Sequence, residues 1–181
     1  EPAVEPLEAV MTIVEYVTNL VTLVEQHAAA QRVPRPRIFV EPGRSMTGDA
    51  QLLLTRVHSV RGVDEAGLTW AVLDAGIALA EPVPNEFHQL FPLRPGSGPP
   101  RLYRLTGPSC TLADQLYAAW TLPELAPGDG LAIMDAGAYF VPMSTCFSFP
   151  RPGVVSVRDG RVTLLRRQET FEDLVTRDVV P

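Results

Sequence analysis

Lysine is missing from this 181-residue sequence: all 15 of its basic residues are arginine. A guanidinium stays protonated at a pKa above about 12 and cannot form a carbon–nitrogen double bond with an aldehyde. Any reaction that needs a side-chain primary amine must therefore obtain it from outside these residues. Cysteine is nearly as scarce. Cys110 and Cys146 are too few for a disulfide framework, and neither sits in a CxxC pair or another metal-ligand spacing, so free thiols and no metal site are expected. No apolar run approaches the roughly 20 residues of a membrane helix and no charged-then-apolar leader opens the sequence, so a soluble, cytoplasmic protein is expected. The net charge is −6, with no basic run or arginine stripe, which argues against a polyanionic partner such as nucleic acid.

What is present reads as one domain with a piece of another. Leu7, Val10, Val14, Val17, Val21, Val24 and Ala28 follow the spacing of an amphipathic helix that buries one face. Arg32-Val33-Pro34-Arg35-Pro36 stops it, because proline removes a donor and pushes its predecessor out of helical geometry. A short buried strand over residues 37–40 is expected next, ending in Glu41-Pro42-Gly43-Arg44. Helix, turn and strand make one αβ step of the kind that builds a parallel sheet or barrel.

From residue 51 the texture becomes short β-like runs, at 51–60, 68–73, 101–105, 115–121, 131–134 and 153–157. The last continues through Asp159-Gly160 into 161–166, a strong hairpin signal. A mainly β architecture, a β-sandwich or barrel, is expected over 46–181, with residues 1–45 belonging to a different domain. Residues 94–100 read as a surface loop, and 170–177 as a short helix capped by Thr170 with Asp173 in the capping-box position. Leu73-Asp74-Ala75-Gly76 and Met134-Asp135-Ala136-Gly137 echo each other.

Three stretches carry chemistry-bearing residues. Glu41-Pro42-Gly43-Arg44-Ser45 offers a carboxylate, a flexible backbone and an anion-binding fork at a strand end. On its own it reads more readily as a turn with a solvated ion pair. Gly107-Pro108-Ser109-Cys110-Thr111-Leu112-Ala113-Asp114 offers a thiol with an acid four residues on, although a lone cysteine near a strand is more often a small buried hydrophobe. Met134-Asp135-Ala136-Gly137-Ala138-Tyr139 presents a phenol where a strand breaks at glycine, and a satisfied core tyrosine is the plainer reading.

Taken together, in this order and spacing, the three resemble the C-terminal signature of the fold-type-III, pyridoxal-phosphate-dependent amino-acid decarboxylases of the diaminopimelate/ornithine/arginine family. The resemblance runs from about residue 10 to Asp178. Leu52-Leu53-Leu54-Thr55-Arg56-Val57, Leu125-Ala126-Pro127-Gly128-Asp129 and Arg166-Arg167-Gln168-Glu169-Thr170-Phe171 extend it, the last most like diaminopimelate decarboxylases. It implies that residues 1–45 are the terminal αβ portion of a cofactor-binding (β/α)8 TIM barrel and that 46–181 form the C-terminal β domain. It further implies that Glu41 pairs with the pyridine nitrogen of pyridoxal 5'-phosphate, that Gly43 and Arg44 hold its phosphate, and that Tyr139 hydrogen-bonds that phosphate. Cys110 would be catalytic, reaching across a dimer interface to help reprotonate the substrate carbon, with Thr111 and Asp114 at the substrate.

The departures are equally specific. The family's Schiff-base lysine, its stacking histidine and its glycine-rich phosphate loop belong to a barrel portion this sequence does not contain. The resemblance thus implies a C-terminal subunit or fragment of a decarboxylase that needs a separate N-terminal barrel half carrying the lysine, assembled as a homodimer or heterotetramer. Thr111 stands where the family has an acid. Ile77-Ala78-Leu79-Ala80-Glu81-Pro82 stands where diaminopimelate decarboxylases place an arginine and a tyrosine on the distal carboxylate. Both argue against meso-diaminopimelate and for another amino acid, free or bound to a carrier. The alternative is a non-catalytic homologue that binds and regulates a full-length family member. A duller one is an isolated β domain with a packing remnant.

Overall fold

The computed structural model describes residues 11–96 and 98–179, in two compact units that divide between Met46 and Thr47. Leu7, Val10 and Ser97 lie outside the described residues.

The N-terminal unit is built around α1, Ile13–Gln31. Thr12 is its N-cap in a capping box: Thr12 Oγ1 accepts from the Glu15 amide at 3.2 Å while the Glu15 carboxylate accepts from the Thr12 amide at 2.8 Å. Arg32 ends the helix in the left-handed region, φ 54°, so that its amide and that of Val33 can reach back to the last carbonyls. Along the expected stripe, Val17, Val21 and Val24 are half-buried and Ala28 is buried, whereas Val14 is exposed. Residues 37–40 form no strand, contrary to expectation, and Phe39 is 78% exposed. Strand geometry needs a ladder partner, and the described residues offer these four none. A 3-10 turn, Gly43–Met46, closes the unit.

The second unit is mainly β, as expected. Its strands are β1 (Leu53–Val63), β2 (Thr69–Leu73), β3 (Leu90–Pro92), β4 (Arg101–Thr106), β5 (Gln115–Leu122) and β6 (Gly130–Ile133). They form a sheet of order β3-β6-β1-β2-β4-β5, antiparallel except for the β2–β4 pair. The sheet curls into a nearly closed barrel. The Tyr117 hydroxyl on edge strand β5 donates at 3.1 Å to the carbonyl of His88, two residues before the other edge strand. Alternation explains the core: β2 reads buried, half-buried, buried, half-buried, buried, and Val57, Leu73, Tyr103, Leu105, Leu131 and Ile133 meet inside.

Because β1 is antiparallel to both β2 and β6, the two Asp-Ala-Gly turns that follow those neighbours lie at the N-terminal end of β1. Each turn opens onto a four-residue helix, α2 (Ile77–Ala80) after the first and α3 (Phe140–Met143) after the second. Beyond them, β7 (Val154–Arg158) and β8 (Arg161–Arg166) form a separate hairpin. Its Asp159-Gly160 turn has φ values of 49° and 73°, as a type I′ turn requires. The last helix, α4, covers Phe171–Val175, shorter than the expected 170–177, with Thr170 and Asp173 in the expected capping box. Among the described residues no helix is long and apolar enough to cross a membrane.

Candidate functional site

Glu41, Gly43 and Arg44 lie together in the N-terminal unit. Glu41 and Gly43 are exposed, and Gly43 has φ 54°, a conformation glycine enters without a Cβ clash. Arg44 is half-buried, with Nη1 and Nη2 withdrawn from solvent. The Ser45 hydroxyl donates to the Pro42 carbonyl at 2.6 Å, which pins the turn between them.

In the second unit, Cys110 sits at the tip of the β4–β5 connection and is exposed, as are Thr111 and Leu112. The loop closes on itself. The Gly107 amide donates to the Asp114 carbonyl at 2.9 Å, the Asp114 amide to the Thr111 carbonyl at 3.1 Å, and the Ala113 amide to Thr111 Oγ1 at 3.3 Å. Thr111 thus uses its hydroxyl as an ST-turn acceptor while its side chain stays at the surface.

Asp114, expected at the substrate, is only 4% exposed. Its Oδ1 accepts from the Ile77 amide at 2.7 Å, and its Oδ2 from the Ser109 amide at 2.8 Å and from the Ser109 hydroxyl. A buried carboxylate held by three donors of its own chain satisfies the demand for partners that burial imposes. Gly76 and Gly107 make room for it. A β-carbon at either position would collide with the carboxylate, and one at Gly107 would also strike the Gly76 backbone. The structure therefore brings together the Cys110 loop and the first Asp-Ala-Gly turn.

That first turn is pinned to β1 through Asp74, whose Oδ1 accepts from Thr55 Oγ1 at 2.7 Å and from the Arg56 amide at 2.8 Å. The second is pinned by amides: Ala136 donates to the Gln51 carbonyl at 2.7 Å and Gly137 to the Gly48 carbonyl at 2.8 Å. Tyr139, at the N-cap of α3, has φ 71° and is 41% exposed, so it lies at the surface and not in the core. The tyrosines buried among the described residues are Tyr103 and Tyr117, and desolvation pushes the Tyr117 phenol well above its ordinary pKa.

Sequence reasoning missed Ser109, Gly76 and Gly107 as parts of this arrangement. It also missed His88, 2% exposed, whose Nδ1 lies 2.8 Å from the Met134 carbonyl and whose ring meets Phe140 edge-on at 5.1 Å. A glycine at the end of each loop was the available signal, since close backbone approach needs one. Among the described residues no three His, Cys, Asp or Glu side chains are grouped to hold a metal ion.

The family profile described as "Pyridoxal-dependent decarboxylase, C-terminal sheet domain" matches residues 15–137. A diaminopimelate decarboxylase of Methanothermobacter thermautotrophicus is 37% identical over 184 residues, covering 99% of this chain and 41% of the relative. One of Bacillus subtilis is 32% identical, covering 97% of this chain and 40% of the relative. The crystal structure of diaminopimelate decarboxylase from M. jannaschi superposes with a TM-score of 0.78 at 26% identity, over 92% of this chain and 38% of that one. The chain thus spans about 40% of the length of these relatives. With the profile covering most of its length and the sheet superposing on solved members, the chain belongs to the pyridoxal-dependent ornithine/diaminopimelate/arginine decarboxylases, of which it carries the C-terminal sheet domain.

Proposed function

We propose that this chain forms the C-terminal part of a pyridoxal-phosphate-dependent amino-acid decarboxylase whose lysine lies in a barrel half outside these 181 residues. The observation that carries the reading is the joint retention of Glu41, Gly43, Arg44, Cys110 and Tyr139, with the Cys110 thiol held exposed at the tip of a closed loop. The side chains suit the cofactor chemically: a guanidinium and a phenol for a phosphate, a positive-φ glycine for close backbone approach, and a carboxylate for a ring nitrogen. When bound, pyridoxal phosphate supplies the electron sink that lets an amino acid release CO2.

Each residue then has a role of its own. With the cofactor bound, Glu41 would keep a ring nitrogen protonated, Gly43 and Arg44 would hold a phosphate, and Tyr139 would supply a phosphate-binding hydroxyl. Cys110 delivers a proton from its sulfur to the substrate carbon that has lost its carboxylate, in the active site of a neighbouring subunit. The working assembly is a dimer of complemented chains in the cytoplasm. The absence of an acid at Thr111 and of an arginine and tyrosine over residues 77–82 supports an amino acid other than meso-diaminopimelate, free or carrier-bound. The second reading is meso-diaminopimelate itself, favoured because the relatives at 37% and 32% identity are named diaminopimelate decarboxylases.

The test is production of the chain together with a lysine-bearing barrel half. Bound-cofactor absorbance and CO2 release are then followed over a panel containing lysine, ornithine, arginine and meso-diaminopimelate. The expected result is cofactor binding with turnover of at least one amino acid lacking a second carboxylate, faster than of meso-diaminopimelate. A preference for meso-diaminopimelate selects the second reading. Neither absorbance nor CO2 from any panel member overturns the enzymatic reading and leaves a regulatory homologue.

A further inference from the structure

We propose that Asp114 is a positioning residue that fastens the Cys110 loop and the segment following the first Asp-Ala-Gly turn into a single platform. This rests on the decarboxylase reading for what the platform serves: Cys110 as proton donor, and residues 77–82 at the place where diaminopimelate decarboxylases grip the far end of their substrate.

The geometry is specific. One oxygen of the buried carboxylate faces the loop, taking the Ser109 amide and hydroxyl, and the other faces the turn, taking the Ile77 amide. Ile77 begins α2, so this bond sets where the segment leaves the sheet. Ser109 is the residue immediately before the cysteine, so the other bonds set where the thiol emerges. Gly76 and Gly107 touch backbone to backbone around the carboxylate, and neither tolerates a β-carbon there. A group with two acceptor oxygens at a fixed separation is needed, because an amide side chain offers one acceptor and two donors, and would meet one of these donors with another. Asp114 is only 4% exposed and both its oxygens are engaged by the chain itself, which assigns its work to the chain and not to the substrate.

The test uses the chain with its barrel half and needs no turnover, so it stands or falls separately from the decarboxylase reading. Alkylation of exposed Cys110 by iodoacetamide is followed by mass spectrometry with added reduced glutathione as the reference thiol, alongside hydrogen exchange of the segments around Ile77 and Ser109. Asp114→Asn is expected to raise exchange in both segments by about tenfold or more and to change the Cys110/glutathione alkylation ratio by at least twofold. Gly76→Ala, made in the other loop, is expected to shift the same ratio. Should Asp114→Asn unfold the sheet, Ser109→Ala serves instead. It leaves the carboxylate and both backbone bonds in place and is expected to move the ratio and the Ile77 segment in the same direction. A ratio that moves less than twofold in every folded variant, or a Ser109→Ala effect that stops short of the Ile77 segment, overturns the proposal.

Discussion

Gly137 packs its Cα against the carbonyl oxygen of Thr47 so closely that a β-carbon there would overlap it. The neighbour is backbone, held by the Ala50 amide donating to that same oxygen at 3.0 Å, so it cannot swing aside as a side-chain tip would. Replacing Gly137 with alanine is expected to cost about 3 kcal/mol, the upper end of ordinary overpacking. At about 2–4 °C per kcal/mol for a chain of this size, the melting temperature falls by roughly 6–12 °C. Thermal unfolding by circular dichroism measures it, and an unchanged midpoint would show the contact to be slack. Tyr139 leaves the same turn two residues later, so cofactor affinity in the complemented enzyme should drop as well.

The C-terminal segment should loosen in acid before the sheet does. Glu169 is held below its ordinary pKa chiefly by the Arg151 amide at 2.8 Å and then by the Arg151 guanidinium at 2.7 Å. Asp173 is lowered by the Arg167 guanidinium first and the Thr170 amide second. Both are acids whose folded values lie below their unfolded ones. Their stabilisation is therefore complete above the unfolded carboxylate values, near pH 4, and is lost as the pH falls through the lowered folded values. Hydrogen exchange followed from about pH 5 down to about pH 2 should show residues 167–175 losing protection below about pH 4 while β2 and β4 keep theirs. Simultaneous loss everywhere would mean that these pairs do not hold the segment.

Thr111 offers a direct test of substrate choice. Its side chain is exposed on the Cys110 loop, and an acid there would lie outside the Asp114 network. In the complemented enzyme, Thr111→Glu is expected to lower KM for an amino acid with a distal ammonium by about tenfold, since a charge-assisted hydrogen bond contributes roughly 1.5–3 kcal/mol. KM for a neutral side chain should stay put. An equal effect on both substrates would place residue 111 away from the ammonium.

The sheet was legible where alternation and turn chemistry agreed. The Asp159-Gly160 hairpin is one such place, and the alternating burial of β2 is another. Residues 37–40 show why an apolar run alone does not make a strand: the pattern describes one chain, and a ladder needs two. Strand β3 escaped notice because Leu90-Phe91-Pro92 is three residues long and ends in proline, which edge positions tolerate and sequence rules discount. The parallel β2–β4 pairing was equally hidden, for the 27 or so residues between them carry only one turn of helix to announce a crossover. At the candidate site, the residue types that could carry chemistry were readable, and which of them the fold buries or exposes was not. An acid four residues after an exposed cysteine looks solvent-facing until Gly76 and Gly107 are seen to admit its carboxylate beneath the loop.

Cys110 separates function from stability most cleanly. It is exposed and no hydrogen bond of its loop depends on its sulfur, so Cys110→Ala should change stability by no more than about 0.5 kcal/mol, the range typical of surface substitutions. A positioned general acid is worth about 10²–10⁴ in rate, so kcat in the complemented enzyme is expected to fall by that factor while cofactor absorbance persists. Cys146, the other exposed thiol, lies outside the Cys110 loop, and Cys146→Ser should leave kcat unchanged. Mixing Cys110→Ala subunits with subunits defective in the barrel half should restore part of the activity if the thiol serves its neighbour's site, because one of the two pockets in each mixed dimer is then intact. No recovery in that mixture would confine the thiol to its own subunit or remove it from the reaction.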